Sequence, residues 1–214
     1  MSKKIIITTP VGKMKWFKAV KADEKFQKYS VDLILEDSEE VQKLINKVDE
    51  LLEETLKIEQ QKHKESGNKT FKKFNKKDNP IQEILDEDGN PTGSYRMKPT
   101  KDSIFKKENK VIAGPPILSP AARVLTTEEK SKLRVNNGSL GRLSVHLSPY
   151  VFQGKDVGVS LKLQAVQIIE LASREDSMNN DAISGFSSEG DDFSFDESEA
   201  GDFSTSEATN SDDF

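Results

Sequence analysis

The chain has 214 residues, 34% of them apolar, no cysteine and a formal charge of −5. That excludes a disulfide framework, thiolate metal sites and a cysteine nucleophile, and no apolar run approaches the roughly 18 residues of a membrane span. Its charge is segregated: residues 175–214 carry thirteen acids and no Lys or Arg, so the first 174 residues set 32 basic groups against 24 acids and are net +8. A basic body joined to an anionic tail is an electrostatic device. Without a charged-then-apolar leader, the expectation is a soluble intracellular protein.

The first 36 residues predict three strands. Ile5, Ile6 and Ile7 open the first, Pro10 and Gly12 mark a turn, and the next places Met14 and Trp16 opposite Phe17 and Ala19. Lys21 to Lys28 is a connection too charged to bury, and Tyr29, Val31, Leu33 and Leu35 form the third strand.

The period then changes to that of a helix. Asp37 and Glu40 have capping-box spacing, and Val41, Leu44, Ile45, Val48, Leu51, Leu52 and Leu56 form one apolar stripe, which predicts an amphipathic helix from about residue 38 to about residue 60. Lys62, Lys64, Lys69, Lys72, Lys73, Lys76 and Lys77 around Phe71 and Phe74 lack a core pattern, so residues 57–80 are expected to be a mobile Lys-rich loop.

Strand signals return at Tyr95 and Met97, which face one way, with Arg96 and Lys98 facing the other; Pro99 restricts this segment to a short or edge strand. Ile104 and Phe105 with Val111 and Ile112 suggest a hairpin around Glu108 and Asn109. Thr126 and Glu129 have the spacing to cap a short helical turn. Leu140, Leu143, Val145 and Leu147 lead through Tyr150 and Phe152 to a Gly154 turn and one long strand, with Val159, Leu161, Leu163 and Ala165 on one side. The body is therefore mainly β with one principal helix. The last forty residues combine low hydrophobicity with single-sign charge and are expected to be disordered.

Catalytic and metal chemistry is poorly supplied. His63 and His146 are far apart, and there is no Walker-type phosphate loop or nucleophile elbow. Asp86 to Asn90 resembles a calcium loop only superficially, because its Gly comes two positions early and Met97 stands where a bidentate Glu is required. A turn is the better reading. No cofactor is expected.

Nucleic-acid binding is better supported. Lys3, Lys4, Lys13, Lys15, Lys18 and Lys21 interleave with Trp16 and Phe17, and Arg96, Lys98 and Lys101 lie near Tyr95 and Phe105. Cations that neutralise phosphates, mixed with aromatic faces on which unpaired bases stack, suit single strands. The tail has its own pattern: Asp191-Asp192-Phe193, Gly201-Asp202-Phe203 and Asp212-Asp213-Phe214 repeat an Asp-Phe unit. Carboxylates and spaced aromatics imitate phosphates and bases, so such a tail would compete for a single-strand groove or dock on a partner.

Three segments carry a family resemblance. The opening Met1-Ser2-Lys3-Lys4-Ile5, the stretch from Gly138-Ser139-Leu140 through Ser148-Pro149-Tyr150 to Ile168-Ile169-Glu170-Leu171-Ala172, and the acidic end with Asp212-Asp213-Phe214 resemble the single-stranded DNA-binding proteins of T-odd short-tailed phages. The resemblance implies an OB-fold-like Greek-key barrel over residues 1–174, homodimerisation, and residence in the cytoplasm of an infected bacterium. It also implies a tail, residues 175–214, that recruits the replicative DNA polymerase and the helicase-primase through Asp212, Asp213 and Phe214. Family DNA contacts map onto Lys3 and Tyr150. The chain departs from the family in Pro99 of the central strand and in its long Lys-rich insert. The resulting expectation is a non-catalytic protein that coats single-stranded DNA for replication, recombination and repair, with no membrane partner. An acidic-tailed adaptor or chaperone binding proteins or structured RNA is the alternative, and a metal-dependent nuclease the third reading.

Overall fold

A computed structural model describes residues 4–66, 73–105, 108 and 110–173. Lys3 and the tail, including Asp212, Asp213 and Phe214, lie outside the described residues. Three strands come first: β1 (Ile5–Thr8), β2 (Gly12–Asp23) and β3 (Lys28–Glu36). The helix α1 (Glu39–Glu65) follows, then β4 (Asn75–Lys76), β5 (Ile81–Leu85), β6 (Pro91–Met97) and β7 (Thr100–Asp102). Two short strands, β8 (Ile104–Phe105) and β9 (Lys110–Val111), pair as the expected hairpin. The chain continues through β10 (Ile117–Leu118) and α2 (Thr127–Lys132) to two long strands, β11 (Leu140–Phe152) and β12 (Asp156–Glu170).

Pairing closes a circuit. β2 pairs with β3, β3 with β7, β7 with β12, β12 with β11, and β11 with β2. The last step places Gly12 opposite Gly141, where a Cβ would meet the Ile34 carbonyl or the Met14 thioether. Two glycines face each other there because neither strand has room for a side chain. Met14, Val31, Leu33, Leu35, Met97, Leu143, Val145, Leu147, Leu161 and Leu163 fill the interior, and α1 adds Val41, Leu44, Val48, Leu51 and Leu52. The helix packs across β11 and β12.

The structure corrects the sequence reading in five places. In β2 the pairing slips between Lys15 and Lys18, and Trp16 takes a left-handed φ of 49°. This bulge shifts the alternation, so Met14, Phe17 and Ala19 all face the core while Trp16 is 58% exposed. The cap of α1 is Ser38, whose hydroxyl accepts from the Val41 amide, while Asp37 accepts from the Gln42 side chain. The helix also runs past residue 60 to Glu65, into the segment read as loop. Its last turns are held by Lys62–Glu59 and Gln61–Glu65 pairs and by cations at the negative end of the dipole. β6 is an inner strand between β3 and β5 rather than an edge, because it ends at Met97, before the proline. Finally, β12 pairs Val145 with Leu163 but Ser144 with Ala165, so one extra residue hands the buried face to Val166 and Ile168 and leaves Ala165 half-buried.

Candidate nucleic-acid interface

The outer face of β2, β3 and β6 carries the cations. Across the strands, Lys15 stands opposite Asp32, and Arg96 lies beside Ile34 on the next strand. These positions alternate with Met14, Leu33 and Met97, which point inward. A cleft of about 760 Å³ opens here, lined by Lys18, Lys25, Lys28, Arg96 and Lys98 together with Trp16 and Phe26, and by one acid, Asp23. Even with Asp32 beneath Arg96 and Lys98 and Asp102 beside Lys28, the five cations outnumber the nearby carboxylates, which makes the cleft attractive to a polyanion.

Two aromatic residues stand out from this face, each for a local backbone reason. Trp16 sits at the bulge, and its amide, diverted from the strand ladder, donates to Asn137 Oδ1 at 3.0 Å. A left-handed backbone costs a non-glycine residue about 1–2 kcal/mol, and an indole that stays largely exposed recovers little of that by packing. Such local strain collects at functional positions. Phe26, 66% exposed, lies in the turn between β2 and β3. Asp23 builds that turn by accepting from the Phe26 amide at 3.0 Å, and Gln27 takes a φ of 52°. The Lys18 ammonium, with the Phe26 amide second, holds the Asp23 carboxyl below the usual carboxylate range, so the turn keeps its acceptor. Lys25 places its ammonium 5.6 Å from the Phe26 ring centre.

Beneath the cations lies Asp32, 1% exposed. Arg96 donates to its Oδ2 through both Nε, at 2.8 Å, and Nη2, while Lys98 Nζ is 3.5 Å from Oδ1. The two hydrogen bonds to Oδ2 fix where the half-exposed Arg96 guanidinium points, while Lys98 stays near Oδ1 by charge attraction alone.

The predicted site residues therefore divide. Lys15, Trp16, Arg96 and Lys98 come together on the outer face. Phe17 packs against the core. Tyr95 faces inward too, and its hydroxyl accepts from Gln42 at 2.9 Å. Lys101 donates to the Gly114 carbonyl at 3.3 Å, and Phe105 is exposed on the β8–β9 hairpin. Tyr150 lies elsewhere, in a cleft of about 830 Å³ between α1 and β11 that also contains Lys4, Leu51, Ile58 and His146. Its ring rests over Gly158, where any Cβ would collide with it. The His146 imidazole there is held below its usual value by burial first, then by the Lys162 and Lys4 ammonium groups.

Sequence reasoning missed Phe26 and Asp32. Both had a signal: an aromatic in a turn too charged to bury must be exposed, and an acid between Val31 and Leu33 in a core strand needs a cationic partner. Asp86 to Asn90 is a turn, as expected, with the Asp86 carboxylate accepting from the Asp88 and Asn90 amides. Thr126 and Glu129 form a full capping box on α2, and Arg123 with the Thr126 amide lowers the Glu129 carboxyl to about 2. Among the described residues, no group of three or more His, Asp and Glu is arranged to hold a metal, and no helix is long and apolar enough to cross a membrane.

No family model matches the chain, and no curated protein matches its sequence. Solved structures do. The crystal structure of gp2.5, a single-stranded DNA binding protein encoded by bacteriophage T7, superposes with a TM-score of 0.62 at 18% identity, covering 86% of this chain and 98% of that one. A C-terminal truncation of the single-stranded DNA-binding protein from bacteriophage Enc34 gives a TM-score of 0.51 at 12% identity, covering 78% and 87%. The chain thus shares its mainly β fold with the phage single-stranded DNA-binding proteins that its opening and closing segments resemble.

Proposed function

We propose that this chain is a non-catalytic single-stranded DNA-binding protein of a phage, acting in the cytoplasm of the infected bacterium during replication, recombination and repair. The observation that carries the reading is Trp16: an exposed indole held in a left-handed bulge, facing a cleft whose five cations outnumber the nearby carboxylates. Phosphates would meet Lys18, Lys25, Lys28, Arg96 and Lys98, and bases would stack on Trp16 and Phe26 for about 1–3 kcal/mol each. The closed strand circuit supports an OB-fold-like Greek-key barrel, and the likeness to two phage proteins named for single-strand binding supports the ligand.

The remaining parts rest on sequence. The tail, residues 175–214, recruits a replicative polymerase and a helicase-primase through Asp-Phe units such as Asp212-Asp213-Phe214, and it competes with DNA for the cationic cleft. The protein acts as a homodimer. A gel-shift comparison of the full chain with residues 1–174, on single-stranded and duplex DNA at two salt concentrations, tests both halves. The expected result is preference for single strands, tighter binding without the tail, and a salt slope of about −0.7 per phosphate neutralised. Equal binding to duplex overturns the single-strand reading. An unchanged affinity on truncation overturns the tail reading.

A further inference from the structure

Next to the cation-rich cleft is a smaller one with different chemistry. It measures about 370 Å³ and is lined by Lys15, Trp16, Asp32, Ile34, Gln82, Glu83, Ile84 and Arg96. Its walls combine an indole face, two isoleucines, an amide, and two carboxylates matched by the Lys15 and Arg96 cations. With its charges balanced, this space gives a phosphate no net attraction, whereas a stacking face with apolar edges and acceptors suits a nucleobase. The space is large enough for one base.

Asp32 makes the pocket selective. Its Oδ2 is engaged by Arg96, but Oδ1, buried, receives no hydrogen bond. Lys98 stands 3.5 Å away without forming one, on a side chain that is half exposed. A buried carboxylate oxygen left so is a costly acceptor, and it belongs to a residue lining the space beside Trp16.

We infer that this pocket reads the amino group of one stacked base, with Asp32 Oδ1 as the acceptor, so that the protein prefers cytosine, adenine or guanine to thymine at that position. The inference rests on the single-strand reading above and adds a base preference to it. A phosphate in the neighbouring cleft draws the Lys98 ammonium outward, and the base amino group then donates to Oδ1. A base with a carbonyl in that place sets two acceptors against each other and leaves Asp32 with one partner fewer.

Oligodeoxycytidylate and oligodeoxyuridylate of equal length test this, because at their Watson–Crick edge cytosine carries N4 amino and a bare N3 where uracil carries O4 and N3–H. Trp16, the single tryptophan, reports binding by fluorescence. At pH 7.5 the wild-type full chain is expected to bind the cytidylate about tenfold more tightly, the worth of one hydrogen bond to a charged acceptor. In Asp32→Asn the ratio is expected to fall to about one or to invert, whatever happens to absolute affinity when Arg96 and Lys98 are released. Equal wild-type affinities overturn the inference without any variant, and so does a ratio that survives Asp32→Asn in a folded protein. If the wild type binds neither strand, the single-strand reading has failed instead.

Discussion

Two clefts on this molecule contain residues that the sequence marked for DNA, and their surroundings are opposite. The outer-face cleft surrounds Trp16 and Phe26 with Lys18, Lys25, Lys28, Arg96 and Lys98, five cations that outnumber their counter-ions Asp23, Asp32 and Asp102. The cleft beside α1 surrounds Tyr150 with Leu51, Ile58 and Val151, and its Lys4 and Lys62 are matched by Glu54 and Glu59. An exposed aromatic therefore does not define a nucleic-acid site by itself. What decides is whether the charge around it is unbalanced, because phosphate neutralisation dominates affinity and balanced rims contribute little of it.

The largest effect expected from this contrast follows removal of the unbalanced charge. Replacing Lys18, Lys25 and Lys28 by Gln leaves the Asp32 network with both its cations, so the fold is not burdened with an unpaired buried carboxylate. If the three lysines neutralise three phosphates, the salt slope becomes shallower by about 2 and affinity at 0.1 M salt falls about a hundredfold. Replacing Lys4 and Lys62 by Gln on the other cleft is expected to leave the slope almost unchanged. A titration series in which both variants lose the same slope removes the distinction between the clefts.

The second effect separates neighbours within one strand. Trp16→Gly relieves a left-handed residue and removes an exposed ring, so stability should hold or rise slightly, while binding loses about 1–3 kcal/mol of stacking. Phe17→Ala should do the reverse, losing about 2 kcal/mol of stability and little affinity, since its ring packs on the core. Melting temperature and affinity measured on the same samples check this. A strongly destabilised Trp16→Gly would make the indole a structural residue.

That pair also shows what the sequence can and cannot disclose. Strand existence was readable because Val31, Leu33 and Leu35 alternate cleanly, and so was the helix, whose stripe from Val41 to Leu52 has a single period. The order of Trp16 and Phe17 was not readable. A bulge inserts one residue without changing composition, and it reverses every inside-or-outside assignment that follows it. Alternation did place Tyr95 and Arg96 on opposite faces, toward α1 and toward the cleft as the structure has them, but it could not show which of the two faces is the outer one, so both were marked for the site. Asp32 was missed for a related reason: a strand pattern reports which face a residue occupies, but not which strand brings its counter-ion. Arg96 reaches it from 64 positions away.

The smallest expected effect distinguishes the clefts by pH. His146 faces Lys162 on β12 and Lys4 at the start of the chain, with Glu54, Glu59 and Lys62 of α1 across the same cleft. Burial and the two lysines depress its folded value, so the unfolded chain binds the proton more readily than the folded one. The stability this provides is full above the unfolded histidine value of about 6.5 and is lost as pH falls through the depressed folded value. Wild type should therefore lose melting temperature more steeply than His146→Gln between pH 7.5 and 5. DNA affinity over the same interval should change equally in both proteins, because the outer cleft contains no histidine. A histidine-dependent change in affinity would instead place the Tyr150 cleft on the path of the strand and merge the two surfaces into one.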